Sequence, residues 1–143
     1  MAAIGVHYLL ELFDCPFEKL DDVSFVTTTL QRAAEVARST LLEEVSHRFS
    51  PQGVTALALL AESHISIHTW PENRYAAADI FTCGESADPE RACKFLVEAF
   101  EAQEHAMMRV NRGTPVRNGD RSDETQQIEE APCPVPRFAP ISG

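Results

Sequence analysis

Between Glu62 and Cys83 the chain concentrates side chains able to do chemistry: Ser63, His64, Ser66, His68, Trp70, Glu72, Asp79 and Cys83. Three readings suit such a set. His64 and His68 stand four apart, a spacing that can chelate one ion from a helix face. From His64 to His68, however, polar and apolar residues alternate, which is the period of a half-buried strand. Four residues of strand span about 13 Å, far beyond a metal–nitrogen bond of about 2 Å, so no metal is expected. A second reading is structural. His64 and Ser66 are then satisfied polar groups facing water, Trp70 is core, and Cys83 is a small buried hydrophobe. The third is nucleophilic: a serine hydroxyl, an imidazole base and a thiol gathered in one polar cluster.

The elements that must position these groups follow from local pattern. Ile4–Phe13 reads as a first strand, ended by Asp14, Cys15 and Pro16, since proline lacks the ladder N–H. Val23, Val26, Leu30, Ala33 and Ala37 recur at spacings of three and four, one apolar helix face, opened by Asp21 and Asp22. Thr40–Phe49 reads as a second strand, and Ser50-Pro51-Gln52-Gly53 as a turn. Val54–Ala61 is an unbroken apolar run and predicts a buried central strand. After the strand around His64–His68, Asn73, Arg74 and Tyr75 form a loop. Ala76–Cys83 is a strand closed by Gly84. Asp88 and Pro89 open a second helix, as N-cap and first helical residue, with Ala92, Phe95, Leu96 and Ala99 on its apolar face. Ala106–Val110 gives a last strand.

The order β-α-β-β, then β-β-α-β, predicts an α+β fold: a two-layer αβ sandwich, an antiparallel sheet with both helices on one face. The other sheet face then needs cover, so a homodimer is expected. Residues 1–112 read as one domain. Residues 113–143 hold five of the nine prolines, three of the six glycines and few large apolar side chains, and read as a disordered tail. Cys133 lies in that tail, with no role in chemistry expected.

Composition narrows the partners. Twelve basic against 22 acidic residues give a net charge of -10, which disfavours a nucleic-acid backbone. No apolar run approaches the roughly 20 residues that span a bilayer, and the N-terminus lacks a secretory signal. A cytoplasmic protein with no membrane partner is expected. Cys15, Cys83, Cys93 and Cys133 form no Cys-x-x-Cys pair. The two lysines, Lys19 and Lys94, lie away from the polar segment, so pyridoxal phosphate, which needs a Schiff-base lysine, is not expected.

The stretch FSPQGVTALALLAESHISIHTWPENRYAAADIFTCG, residues 49–84, closely resembles the bacterial and archaeal class of S-adenosylmethionine decarboxylases, and the likeness extends from Ile4 to Asn111. The resemblance implies a proenzyme that cuts itself between Glu62 and Ser63. The Ser63 hydroxyl attacks the Glu62 carbonyl to form an ester, and loss of the residue 63 Cα proton leaves a pyruvoyl group. That ketone, the only cofactor implied, takes the substrate amine and the electrons released with CO2. His68 matches the histidine given the proton step, and Cys83 the proton donor to the product. Thr55 stands where the family often has a serine that assists cleavage. Phe49 and Trp70 match aromatics that sandwich adenine, and Glu72 the acid that binds ribose hydroxyls. In dimeric members these groups come from both subunits. The substrate implied is S-adenosylmethionine, and the product the aminopropyl donor for spermidine. Two alternatives are the same chemistry on arginine or ornithine, and a noncatalytic partner that regulates a homologous decarboxylase.

Overall fold

The computed structural model describes residues 3–114; from residue 115 onward the expected tail, with Cys133, lies outside the described residues. Strand β1 (Gly5–Phe13) leads through a single-turn helix, α1 (Phe17–Leu20), into α2 (Val23–Val36). Helix α2 forms where apolar spacing predicts it. Val26, Leu30 and Ala33 are buried, and the Asp22 carboxylate accepts the Phe25 N–H at 3.0 Å, capping the first turn. Strands β2 (Leu41–Arg48), β3 (Val54–Leu60), β4 (Ser63–Trp70) and β5 (Tyr75–Cys83) follow, with a 3₁₀ turn at Pro71–Asn73 between the last two. Helix α3 (Pro89–Ala99) begins behind Asp88, whose carboxylate accepts the Arg91 N–H at 3.2 Å. Strand β6 (Glu104–Arg112) completes the sheet. Helix α1 and the 3₁₀ turn have no counterpart in the sequence reading, because one turn is too short to show a period.

The six strands lie in the order β2-β3-β4-β5-β1-β6, and every neighbouring pair is antiparallel. With α2 and α3 packed on one face, this is the two-layer α+β sandwich expected. Leu10, Leu12, Val54, Ala56, Ala58, Ile65, Ile67, Ala78 and Ile80 alternate inward to meet Val26, Leu30, Leu96 and Phe100 from the helices. The residues between them face the other way.

That second face differs from the expectation for one strand. β3 is not buried on both sides: Val54, Ala56, Ala58 and Leu60 are in the core, but Leu57 and Leu59 are 39% and 48% exposed. An unbroken apolar run reads as two-sided burial, yet the helices cover only one side. Leu57 aligns across the sheet with Val45, Ser66, Asp79, Leu9 and Met108, so one uncovered row mixes apolar and chemically able side chains.

Candidate active site

The helix-free face carries the polar residues of the segment 62–83, and β4 sets their spacing. β4 pairs without a break from Ser63 opposite Thr82 to Trp70 opposite Tyr75. His64, Ser66, His68 and Trp70 therefore project to the same side. The residues separate into two groups, one at each end of the strand.

At the first end, Ala61 and Glu62 make the two-residue connection between β3 and β4. Such tight hairpins favour positive φ at their central residues. Here positive φ falls on Ser63 instead, at 149°, a value rare for a residue with a side chain. Strain of this kind costs roughly 1–3 kcal/mol and persists only where the surroundings enforce it. They do so here. The Ala61 N–H bonds the Thr40 carbonyl at 2.9 Å, and the Glu62 carboxylate accepts the Thr40 N–H at 3.0 Å. The Glu62 carbonyl oxygen accepts two donors from one residue, the Cys83 N–H and the Cys83 S–H, each at 3.1 Å. The bond that the family resemblance implies is cut therefore lies between a carbonyl with two donors and a residue with a strained φ.

Behind Ser63 lies a connected polar cluster. Ser63 Oγ is 3.4 Å from His64 Nδ1, and His64 Nε2 is 2.9 Å from Asp79 Oδ2. His7 Nε2 reaches the same oxygen at 2.7 Å, Ser66 donates to Asp79 Oδ1, and Arg112 Nη1 is 3.0 Å from His7 Nδ1. Burial pushes the Asp79 carboxyl up, but the hydrogen bonds from Ser66, His64 and His7 together outweigh it and hold the group below the usual aspartate value. Asp79 and His7 gained no role from sequence. The signal was available: counting back from the Trp70–Tyr75 pair at the hairpin end places Ser66 opposite Asp79.

At the other end, His68 Nδ1 is 3.0 Å from Thr55 Oγ1, and the His68 ring lies beside Trp70 at 6.3 Å. Trp70 packs on Tyr75 at 5.4 Å, and Tyr75 on Phe13 at 5.5 Å. Glu72, in the 3₁₀ turn, accepts from Gln52 at 3.2 Å. Phe49 contacts His47, with ring centres 4.7 Å apart. Ser63 and His68 are not brought together within the chain. Five residues of unbroken strand put them about 16 Å apart. The bend that would join them within one chain does not occur; the irregularity at Ser63 is confined to its φ.

Among the described residues, Cys15 and Cys93 differ from Cys83. Burial pushes the Cys15 thiol up to about 11 and the Cys93 thiol up to about 12, which keeps both protonated and unreactive. Cys83 is exposed. A cavity of about 520 Å³ opens on the helix side, lined among others by Tyr8, Thr82, Asp88 and Arg109, and none of the expected site residues line it.

The site thus joins an α+β sandwich to a serine at a φ of 149° that follows a carbonyl with two donors. Comparison with known proteins gives the family. The family model described as S-adenosylmethionine decarboxylase matches residues 6–113, most of the chain. The S-adenosylmethionine decarboxylase proenzyme of Prochlorococcus marinus (strain MIT 9211) is 55% identical over 113 residues, covering 79% of this chain and 93% of that protein. The proenzyme of Synechococcus sp. (strain WH7803) is 50% identical over 134 residues, covering 94% and 99%. Among solved structures, the adenosylmethionine decarboxylase from Aquifex aeolicus superposes with a TM-score of 0.76 at 32% identity, covering 82% of this chain and 97% of that one. The chain belongs to the S-adenosylmethionine decarboxylase family.

Proposed function

We propose that this chain decarboxylates S-adenosylmethionine with a pyruvoyl group that it forms from its own Ser63. The observation that carries the reading is the Glu62–Ser63 junction, where a serine held at a φ of 149° follows a carbonyl that already accepts two hydrogen bonds. Ser63 Oγ attacks the Glu62 carbonyl carbon. Charge builds on the carbonyl oxygen, and the Cys83 N–H and S–H stabilise it from positions they already hold. Breaking the backbone bond to residue 63 frees its φ, so the strain favours the cut over the intact chain.

A pyruvoyl group at residue 63 supplies a ketone that holds the substrate amine and accepts the electron pair released with CO2. His68 takes the Cα proton of residue 63 during the group's formation, with Thr55 orienting the imidazole through the 3.0 Å contact at Nδ1. Cys83 Sγ returns a proton to the substrate carbon after CO2 leaves. Phe49 and Trp70 bind the adenine ring, and their faces also favour the sulfonium cation by roughly 0.5–2 kcal/mol. Glu72 accepts hydrogen bonds from the ribose hydroxyls.

These roles need both ends of β4 at one place, and a single chain holds them about 16 Å apart. A two-fold dimer solves this. Packing two helix-free faces together sets Ser63 and Cys83 of one copy beside the groups that match His68, Thr55, Phe49, Trp70 and Glu72 in the other. The exposed Leu57, Leu59, Val45, Leu9 and Met108 supply apolar surface for that contact. The working form is then a homodimer of cleaved protomers with two shared sites, in the cytoplasm. No helix among the described residues is long and apolar enough to cross a membrane.

The substrate is tested by release of labelled CO2 from S-adenosylmethionine, arginine and ornithine in parallel. S-adenosylmethionine alone should turn over, and cyanoborohydride should couple it to the fragment that starts at residue 63. Turnover of arginine or ornithine in its place would overturn the assignment of the aromatic end to adenine.

A further inference from the structure

We propose that His64 is the base that removes the Ser63 hydroxyl proton when the chain cuts itself, and that Asp79 is its positioning residue. The inference rests on the reading that Ser63 attacks the Glu62 carbonyl, and it fills a gap in that reading. A serine hydroxyl attacks an amide poorly unless a neighbouring base takes its proton. His68, about 16 Å along the strand, does not serve Ser63 within the chain.

The hydrogen-bond pattern fixes where the protons are. Arginine offers donors only, so His7 Nδ1, 3.0 Å from Arg112 Nη1, is the accepting nitrogen of its ring. The ring's proton is then on Nε2, which donates to Asp79 Oδ2 at 2.7 Å. The Asp79 carboxylate, held ionised by its three donors, also accepts from His64 Nε2 at 2.9 Å. His64 in its neutral form thereby keeps an unprotonated Nδ1, and that atom faces Ser63 Oγ at 3.4 Å. The separation is the loose contact expected before reaction. Serine, imidazole and half-buried carboxylate stand in the order that activates a nucleophile in acyl transfer.

The step balances. The Ser63 proton passes to His64 Nδ1 while Oγ bonds to the Glu62 carbonyl carbon, and the carbonyl electron pair moves onto the oxygen held by Cys83. When that pair returns, the bond from the Glu62 carbonyl carbon to the residue 63 nitrogen breaks, and the nitrogen takes the proton back from His64. The product is an ester between Glu62 and Ser63 Oγ with a free amine on residue 63, and no oxidant or reductant is used. The imidazolium formed in between lies against Asp79, which stabilises it. Two histidines then divide the work, His64 on ester formation and His68 on the later Cα proton.

His7 Nε2, His64 Nε2 and an Asp79 oxygen also lie close enough to hold one metal ion, all within 4.8 Å of one another. Arg112 weighs against it. A metal would need His7 Nε2 without its proton, which puts an N–H at Nδ1 facing the Arg112 donor and adds a cation beside a guanidinium.

The test follows ester formation separately from elimination, using hydroxylamine, which cleaves an ester and leaves an amide. Newly made full-length chains are compared as wild type, Ser63→Ala, His64→Gln, His64→Ala and Asp79→Asn, with folding checked by circular dichroism. His64→Gln retains a donor toward Asp79 and lacks the base. Wild type should yield two fragments and Ser63→Ala none. His64→Gln should slow by about 100-fold or more, both spontaneously and with hydroxylamine, the range general-base removal commonly gives. Free imidazole should restore part of the rate to His64→Ala, which a merely structural role would not allow. Asp79→Asn should slow about tenfold or more, because its amide can reverse the His64 tautomer. If the wild type never cuts, or Ser63→Ala does, the underlying reading falls. If the wild type cuts and His64→Gln cuts within about twofold of it, or imidazole does nothing for a folded His64→Ala, this inference alone is wrong. Cleavage abolished by a chelator and restored by Zn2+ would give the three side chains to a metal and also overturn it.

Discussion

The two ends of β4 lie on one strand and one face, yet they are built for different work. The Ser63 end is rigid and polar. A two-residue connection, a carbonyl with two donors from Cys83, and a six-residue network through Asp79 surround one strained backbone torsion. The Trp70 end is aromatic and open, with Trp70, Tyr75 and Phe13 in a row and Glu72 and Phe49 at its rim. On the proposed reading, the first end cuts the chain and the second binds the substrate. Strand geometry keeps Ser63 and His68 about 16 Å apart in one chain. The face between them exposes Leu57, Leu59, Val45, Leu9 and Met108, where the proposed second copy would pack.

The sharpest way to break this comparison is to damage one end in each of two chains. Cys83→Ala and Trp70→Ala should each be nearly inactive alone. Co-expressed, half of the dimers are mixed, and each mixed dimer holds one site free of both changes, so about a quarter of wild-type activity should return. No recovery in a verified mixed dimer would show that both ends serve within one chain.

A smaller effect separates the two duties of Cys83. Cys83→Ala retains the backbone N–H donor at 3.1 Å to the Glu62 carbonyl and loses the S–H donor. Cleavage should slow by roughly tenfold, the worth of one hydrogen bond. Turnover by chains already cut should fall about 100-fold or more, since a proton donor is missing. Equal losses in the two assays would contradict the division.

The smallest effect lies in the frame of the Trp70 end. Asp21 accepts the Gly53 N–H at 2.9 Å and pairs with Arg48, tying the turn after Phe49 to the helices. The Gly53 hydrogen bond outweighs burial and, helped by Arg48, holds the Asp21 carboxyl below its ordinary value. A lowered value means that the folded state favours the ionised form. The stabilisation is therefore full above the unfolded value of about 3.9 and is lost as pH falls through the lower folded one. Asp21→Asn should lower the thermal midpoint by a few degrees at pH 7, and the difference should close in strong acid. A gap unchanged down to pH 2 would remove the ionic contribution.

Much of the frame was legible in the residues. The spacing of Val23, Val26, Leu30 and Ala33 gave α2, Asp88 and Pro89 gave the start of α3, and the alternation at His64–His68 gave β4. Each rests on short-range rules that one segment obeys alone. What escaped depends on pairing between segments. The positive φ at Ser63 sits beside a connection held by Thr40 and Cys83, residues far away in sequence. The His64–Asp79 contact exists only through the β4–β5 register. The apolar run of β3 misled because a strand with apolar residues on an uncovered face has the same composition as one buried on both sides.

The central claim is a change in covalent structure at one residue. Intact-mass measurement of the purified chain, followed by fragment sequencing, reads it directly. The account predicts a 62-residue fragment ending at Glu62 and an 81-residue fragment, residues 63–143, blocked by pyruvoyl in place of serine, with Ser63→Ala left as one 143-residue chain. An active wild type that remains a single chain with an ordinary serine at position 63 would contradict it.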